Sequence, residues 1–205
     1  MRVPRSSPAH TVRAFVAADI GPDVRAGLRP VLAELRRLGG PVRWVKEDNV
    51  HLTLKFLGDV EWLKIGKIAE VVKQAAALAR PFTLRVAGLR AFPPGPSPRI
   101  VAAGLTAGVE ELRALHKSLD GAMRQFGVPA ENRDFLAHLT LGRVRARERA
   151  DRLWEALARH ADRDFGEAEV TELILFQSEL KPQGAEYVRL ATARLASGET
   201  TVSSL

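Results

Sequence analysis

The tetrapeptide His51-Leu52-Thr53-Leu54 occurs a second time, letter for letter, as His138-Leu139-Thr140-Leu141, 87 residues further along the chain. A fixed word of this kind, built around one of only five histidines, recurs by chance on the order of once in a few hundred chains of this length. Each copy alternates polar and apolar residues, which is the period of a strand and not of a helix. Leu52 and Leu54 then face one side of a sheet and His51 and Thr53 the other, and the second copy repeats the arrangement. A chain carrying this repeat must build the same half-site twice. If its halves are related by an approximate twofold, two imidazoles and two hydroxyls converge on one volume, and that volume suits a phosphate.

The surrounding pattern predicts strands over 12–18, 42–45, 50–57, 82–92, 99–105, 136–144, 169–179 and 185–195, and helices from 21 to 38, 59–79, 109–127 and 148–160. Pro30 predicts a kink or a late start in the first helix. The proline run at 93–98 predicts a loop, and Lys181-Pro182-Gln183-Gly184 a hairpin turn. Strand pairs with no helix between them favour antiparallel pairing, so the fold class is α+β. Residues 1–205 are read as a single domain of two intertwined lobes, with 1–10 and 197–205 frayed.

Composition narrows the chemistry. The 205 residues include no cysteine, which removes disulfides, thiolate nucleophiles and cysteine metal sites. No stretch approaches the ~20 apolar residues of a membrane span, and no secretory leader is legible, so a cytoplasmic, membrane-free protein is expected, with a monomer as the default. The net charge of +7 favours polyanionic partners, although much of the arginine excess reads as a solvated helix face. Glycine-rich nucleotide loops are absent, and no cofactor is expected.

Imidazoles in pairs do a particular kind of work. A neutral one takes a proton from water and a charged one gives a proton to a leaving oxygen, both near neutral pH. Threonine hydroxyls beside them donate to phosphoryl oxygens and orient the group for in-line displacement. A lone histidine on a strand is more often a satisfied structural residue, and duplication reverses that weighting. A zinc site would need a third ligand that neither word supplies.

The two His-x-Thr words, the first extended as His51-Leu52-Thr53-Leu54-Lys55-Phe56-Leu57-Gly58, resemble those of the two-histidine phosphoesterase superfamily. Within it the chain is most similar to the RNA 2′,3′-cyclic phosphodiesterases, also called 2′,5′ RNA ligase-like or LigT-like proteins, from about 12 to 195. Phe15-Val16-Ala17, Phe92-Pro93 with Pro98-Arg99, Asn132-Arg133-Asp134-Phe135, and Ser178-Glu179-Leu180 with Gly184 and Tyr187 support the likeness. Ala137 and Asp134 stand where the family commonly has prolines.

The resemblance implies a bilobal fold with pseudo-twofold symmetry, two antiparallel sheets flanked by helices and a central cleft. It also implies a phosphate-binding arginine at Arg143, which strict alternation places on the leucine face unless a bulge at Gly142 redirects it. Lys55 falls on the histidine face and offers a second cation to an RNA backbone. Phe56, Phe92, Trp44 and Tyr187 are candidates for base stacking, with Phe56 by alternation sharing the leucine face, where a core role competes. His10, His116 and His160 lack a companion threonine and are expected at the surface, and Trp62 and Trp154 on helices.

The expected activity is metal-independent opening of an RNA terminal 2′,3′-cyclic phosphate to a 2′-phosphate, with reversible 2′,5′ ligation as its reverse. His51 is assigned as proton donor and His138 as acceptor, an order that the sequence itself leaves open. Thr53, Thr140 and Arg143 hold the phosphate. The partners are RNA 3′ ends or ribonucleoside 2′,3′-cyclic phosphates. The alternative is a non-catalytic nucleotide- or RNA-binding module, and a third reading is a phosphodiesterase acting on ADP-ribose 1″,2″-cyclic phosphate or 2′,5′-oligoadenylate.

Overall fold

A computed structural model describes residues 10–94, 98–145, 151–182 and 184–196. Strands β1 (Thr11–Ala18), β2 (Val42–Trp44), β3 (Leu52–Glu61), β4 (Phe82–Phe92), β5 (Ile100–Ala107), β6 (Leu139–Val144), β7 (Asp164–Val170), β8 (Glu172–Lys181) and β9 (Gly184–Arg194) alternate with helices α1 (Gly21–Arg37), α2 (Ile65–Ala77), α3 (Val109–Met123) and α4 (Asp151–Arg159). All strand pairs are antiparallel, in the order β7-β4-β5-β6-β3-β1-β8-β9 with β2 on β6. The two sheets are hydrogen-bonded into one at a narrow waist, where β3 and β6 share the single pair Leu52↔Leu139. Beyond it β6 takes β2 as its neighbour, from Trp44↔Gly142 to Val42↔Val144, and β3 keeps β1. The sheet therefore diverges from the two repeated words.

Helices cross between the halves. The segment α1 leaves β1 in one half and packs on β7 in the other, whereas α3 leaves β5 and packs back on β3. Gly27 permits the first crossing, since a Cβ there would lie 2.3 Å from the Phe165 carbonyl oxygen. α2 covers β8 and β9, and α4 covers β4. The leucines of both words, Leu52, Leu54, Leu139 and Leu141, are buried under these helices, as the alternation predicts.

Several element boundaries differ from the expected ones. α1 runs through Pro30 unbroken, because the proline is exposed while Leu28, Val31 and Leu32 hold the opposite face. The first word's strand extends to Glu61, paired to Thr11, so the helix expected from residue 59 starts with a 3₁₀ turn at Trp62–Lys64. A separate strand, β7, occupies Asp164–Val170 along β4, with Ala168 and Val170 buried in alternation and Phe165 buried at a bulge where it has no partner on β4. The pair Lys181↔Gly184 closes the expected hairpin. The expected fraying at 1–10 and 197–205 falls outside the described residues, His10 excepted; so do residues 95–97 of the proline-rich loop, the first residues of the helix expected from 148, and Gln183. No described helix is long and apolar enough to cross a membrane.

Candidate active site

The waist sets the geometry of the two words. Leu52 and Leu139 are antiparallel partners, and within each word the alternation turns the histidine and the threonine to the face opposite the leucines. The words thus place one imidazole and one hydroxyl on each of the two strands that meet at the leucine pair.

Both imidazoles are held in the same way. His51 Nδ1 lies 2.8 Å from the Asn49 carbonyl oxygen and His138 Nδ1 lies 2.7 Å from that of Leu136, each two residues upstream. A carbonyl only accepts, so each Nδ1 carries the proton and each neutral ring presents Nε2 as its basic nitrogen. His51 Nε2 is 2.9 Å from Thr53 Oγ1. His51 is stacked on Phe15 with centroids 4.8 Å apart and meets the edge of Tyr187 at 5.2 Å. That burial lowers its pKa to about 4, against the opposing effect of the bond to Asn49, so the ring is neutral at neutral pH in the free protein. Burial also raises the Tyr187 phenol above its ordinary value, which keeps it protonated.

A bulge follows each word. Along β6, Gly142 pairs with Val101 and Thr140 with Ala102, leaving Leu141 without a partner. Along β3, Lys55 pairs with Val16 and Thr53 with Ala17, leaving Leu54 without one. The extra residue reverses the alternation, so the fifth residue after each histidine turns outward: Phe56 after His51 and Arg143 after His138, both exposed. This is the redirection of Arg143 that the family resemblance requires. Gly142 makes it possible, since a Cβ there would sit 2.5 Å from Val42 Cγ1.

The same bulge corrects two expectations. Lys55 does not reach the cleft; it is 1 % exposed, with Nζ donating to Asp120 Oδ1 at 2.7 Å, the Pro129 carbonyl at 3.1 Å and Glu131 Oε1 at 3.2 Å. Three acceptors match the three protons of the ammonium group. Phe56, for which alternation favoured the core, is 56 % exposed.

His51, Thr53, Phe56, Thr140, Arg143 and Tyr187 line one cleft of about 340 Å³, bounded further by Arg13, Phe15, Asn49 and Ser178. His138 lies outside that lining, its ring centroid 5.9 Å from that of Phe92. Trp44 is packed over Gly142 against the core and does not face the cleft. His116 is buried, contrary to expectation, and His160 is partly buried with Nε2 3.0 Å from Glu34. Arg13 and Asn49 were missed from sequence. Arg13 had a usable signal, two residues before Phe15 on the strand, whereas Asn49 acts through its carbonyl and has none. Among the described residues no three His, Asp or Glu side chains form a set fit to hold a metal ion.

Comparison with known proteins decides the family. The model of the 2′-5′ RNA ligase superfamily matches residues 22–182. The chain belongs to this superfamily. It is 35 % identical over 176 residues to the RNA 2′,3′-cyclic phosphodiesterase of Archaeoglobus fulgidus, covering 86 % of this chain and 96 % of that one. It is 33 % identical over 184 residues to the protein of the same name from Methanothermobacter thermautotrophicus, covering 90 % and 99 %. Among solved structures, TT0787 of Thermus thermophilus superposes with a TM-score of 0.77 at 28 % identity, over 91 % of this chain and 99 % of that one. E. coli LigT complexed with 3′-AMP superposes at 0.72 and 23 % identity over 92 % and 100 %, a likeness of fold. These two solved structures share the mixed antiparallel architecture described above.

Proposed function

We propose that this superfamily member hydrolyses the 2′,3′-cyclic phosphate at an RNA 3′ end, using the two imidazoles as acid and base. The observation that carries the reading is their shared anchoring: both donate Nδ1–H to the carbonyl two residues upstream, which makes Nε2 the basic nitrogen of each ring, next to strands that meet at Leu52 and Leu139. In the reaction, one neutral Nε2 takes a proton from water while the water oxygen bonds to phosphorus. The P–O3′ bond breaks in line, and the second, protonated Nε2 gives its proton to O3′, leaving a 2′-phosphate. Thr53, Thr140 and Arg143 hold the non-bridging oxygens, where charge redistributes in the transition state. Phe56, on the other half of the pseudo-twofold, offers a face to the terminal base. Ligation to a 2′,5′ bond is the same displacement reversed, with an RNA hydroxyl in place of water.

A polyanionic substrate also fits the charge around the cleft. Arg43 and Arg143 are direct register partners on β2 and β6. Like charges so placed are destabilising in a bare sheet, and a phosphate between them relieves the repulsion.

His51 keeps its assignment as the acid through the substrate's own charge. It is neutral in the free protein, and an anionic phosphate next to it favours the imidazolium. Saturating nucleoside 2′-phosphate is expected to raise the His51 titration midpoint from about 4 toward the ordinary value, followed by NMR. By linkage the phosphate then binds more tightly as pH falls through the raised midpoint, and the gain ends below the free-protein value. A midpoint that phosphate leaves in place removes His51 as the acid.

The activity is tested with a short RNA ending in a cyclic phosphate. Product bearing a 2′-phosphate, formed equally in EDTA, supports the reading. Tight binding without product selects the nucleotide-binding alternative, and product lost on chelation rejects the two-imidazole mechanism.

A further inference from the structure

His116 is a buried imidazole that the reaction above does not use. It lies on the apolar face of α3 among Leu112, Leu115 and Leu119, where a polar side chain is costly unless bonded. Its Nδ1 is 2.8 Å from the Leu54 carbonyl oxygen, which belongs to the bulge residue of the first word. Its ring is stacked on Phe135, with centroids 4.4 Å apart and planes 13° from parallel. Phe135 is the residue before Leu136, whose carbonyl anchors His138. One ring therefore touches the tail of the first word and the approach to the second. One helical turn on, Asp120 grips Lys55, the next residue of the same bulge.

We infer that His116 is a positioning residue coupling the two halves of the site: its Nδ1–H holds the bulge that aims Phe56 into the cleft, and its stack on Phe135 holds the carbonyl that orients His138. The inference rests on the proposed activity only for its kinetic consequences. The two contacts serve different steps. Phe56 meets the substrate in the ground state, so the hydrogen bond governs KM. His138 acts in the transition state, so the stack governs kcat.

Two variants separate them. His116→Asn keeps an amide donor close to the Nδ1 position and removes the stack; kcat is expected to fall about tenfold with KM little changed, less than the ~100-fold that a full ångström of misplacement costs. His116→Phe keeps the stack and removes the donor; KM is expected to rise about tenfold with kcat retained. Alongside, the ring nitrogen shifts of His138 report its tautomer and are expected to leave the Nδ1–H form in His116→Asn but not in His116→Phe. Phe135→Leu leaves α3 intact and is expected to reproduce the His116→Asn pattern, which covers the case of a His116 variant that does not fold. Identical kinetic behaviour of the two His116 variants, or a His138 tautomer unmoved by loss of the stack, overturns the inference. If the wild type opens no cyclic phosphate while the His138 shifts still follow the stack, the coupling stands and the proposed activity is what is lost.

Discussion

His51→Ala and His138→Ala are each expected to slow cyclic-phosphate opening by about 10²–10⁴-fold, with the protein folded and RNA still bound. In the proposed mechanism the loss belongs in kcat, because each imidazole would move its proton as the P–O bonds change and contribute little to ground-state binding. The double variant is expected to fall little below the worse single one. A displacement that needs both proton transfers is already broken by the loss of either, so the two penalties are not additive. Arg143 and the threonines remain in place in all three proteins, which keeps phosphate binding as an internal control on folding. Single-turnover rates on the cyclic-phosphate RNA, with affinity measured separately, provide the check. A variant of either histidine that retains a tenth or more of the wild-type rate excludes that ring from the proton transfers.

Asp120→Ala is expected to have the largest effect on stability. It leaves Lys55, 1 % exposed, with the Pro129 carbonyl and the more distant Glu131 as its remaining partners. Removing one side of a buried ion pair costs about 3–5 kcal/mol because the stranded charge stays desolvated. Glu131 at 3.2 Å compensates in part and places the loss toward the lower end. For a chain of this size that corresponds to a fall in Tm of roughly 10 °C. Lys55→Met combined with Asp120→Ala removes both charges of the pair and is expected to recover most of that loss. Urea unfolding of the three proteins tests the pair. Asp120→Ala melting with the wild type would show that Lys55 finds water, and that the bulge does not depend on the α3 anchor.

The bulges explain why alternation served for the words and misled just beyond them. Within His51–Leu54 and His138–Leu141 a period of two assigns every side chain to its observed face, since the leucines are fully buried and the histidines and threonines only partly so. One extra residue then inverts the parity, and Lys55 and Phe56 exchange faces relative to expectation. No propensity marks Leu54 as the extra residue, because it arises from the register that β1 imposes on β3. At Leu141 a glycine follows, and Gly142 was legible as a place where a strand could deviate. His116 failed for a related reason. A histidine among helical leucines reads equally as a rim residue, and only the carbonyl it meets, 62 positions away in sequence, makes its burial tolerable.

By itself the sequence determined the α+β class, the antiparallel pairing, the two His-x-Thr words as one duplicated half-site, and the family those words resemble. These follow from local periodicity and from a repeat too specific to be accidental. Tertiary structure alone decided which residues join the words in the cleft and which are buried behind them. It joined the sheets at Leu52↔Leu139, took Lys55 into the core, turned Phe56 and Arg143 outward, and set His116 between the two words. The physical reason is that a side chain's face within a strand depends on local geometry, whereas register, bulges and the partners of buried polar groups depend on segments tens of residues apart.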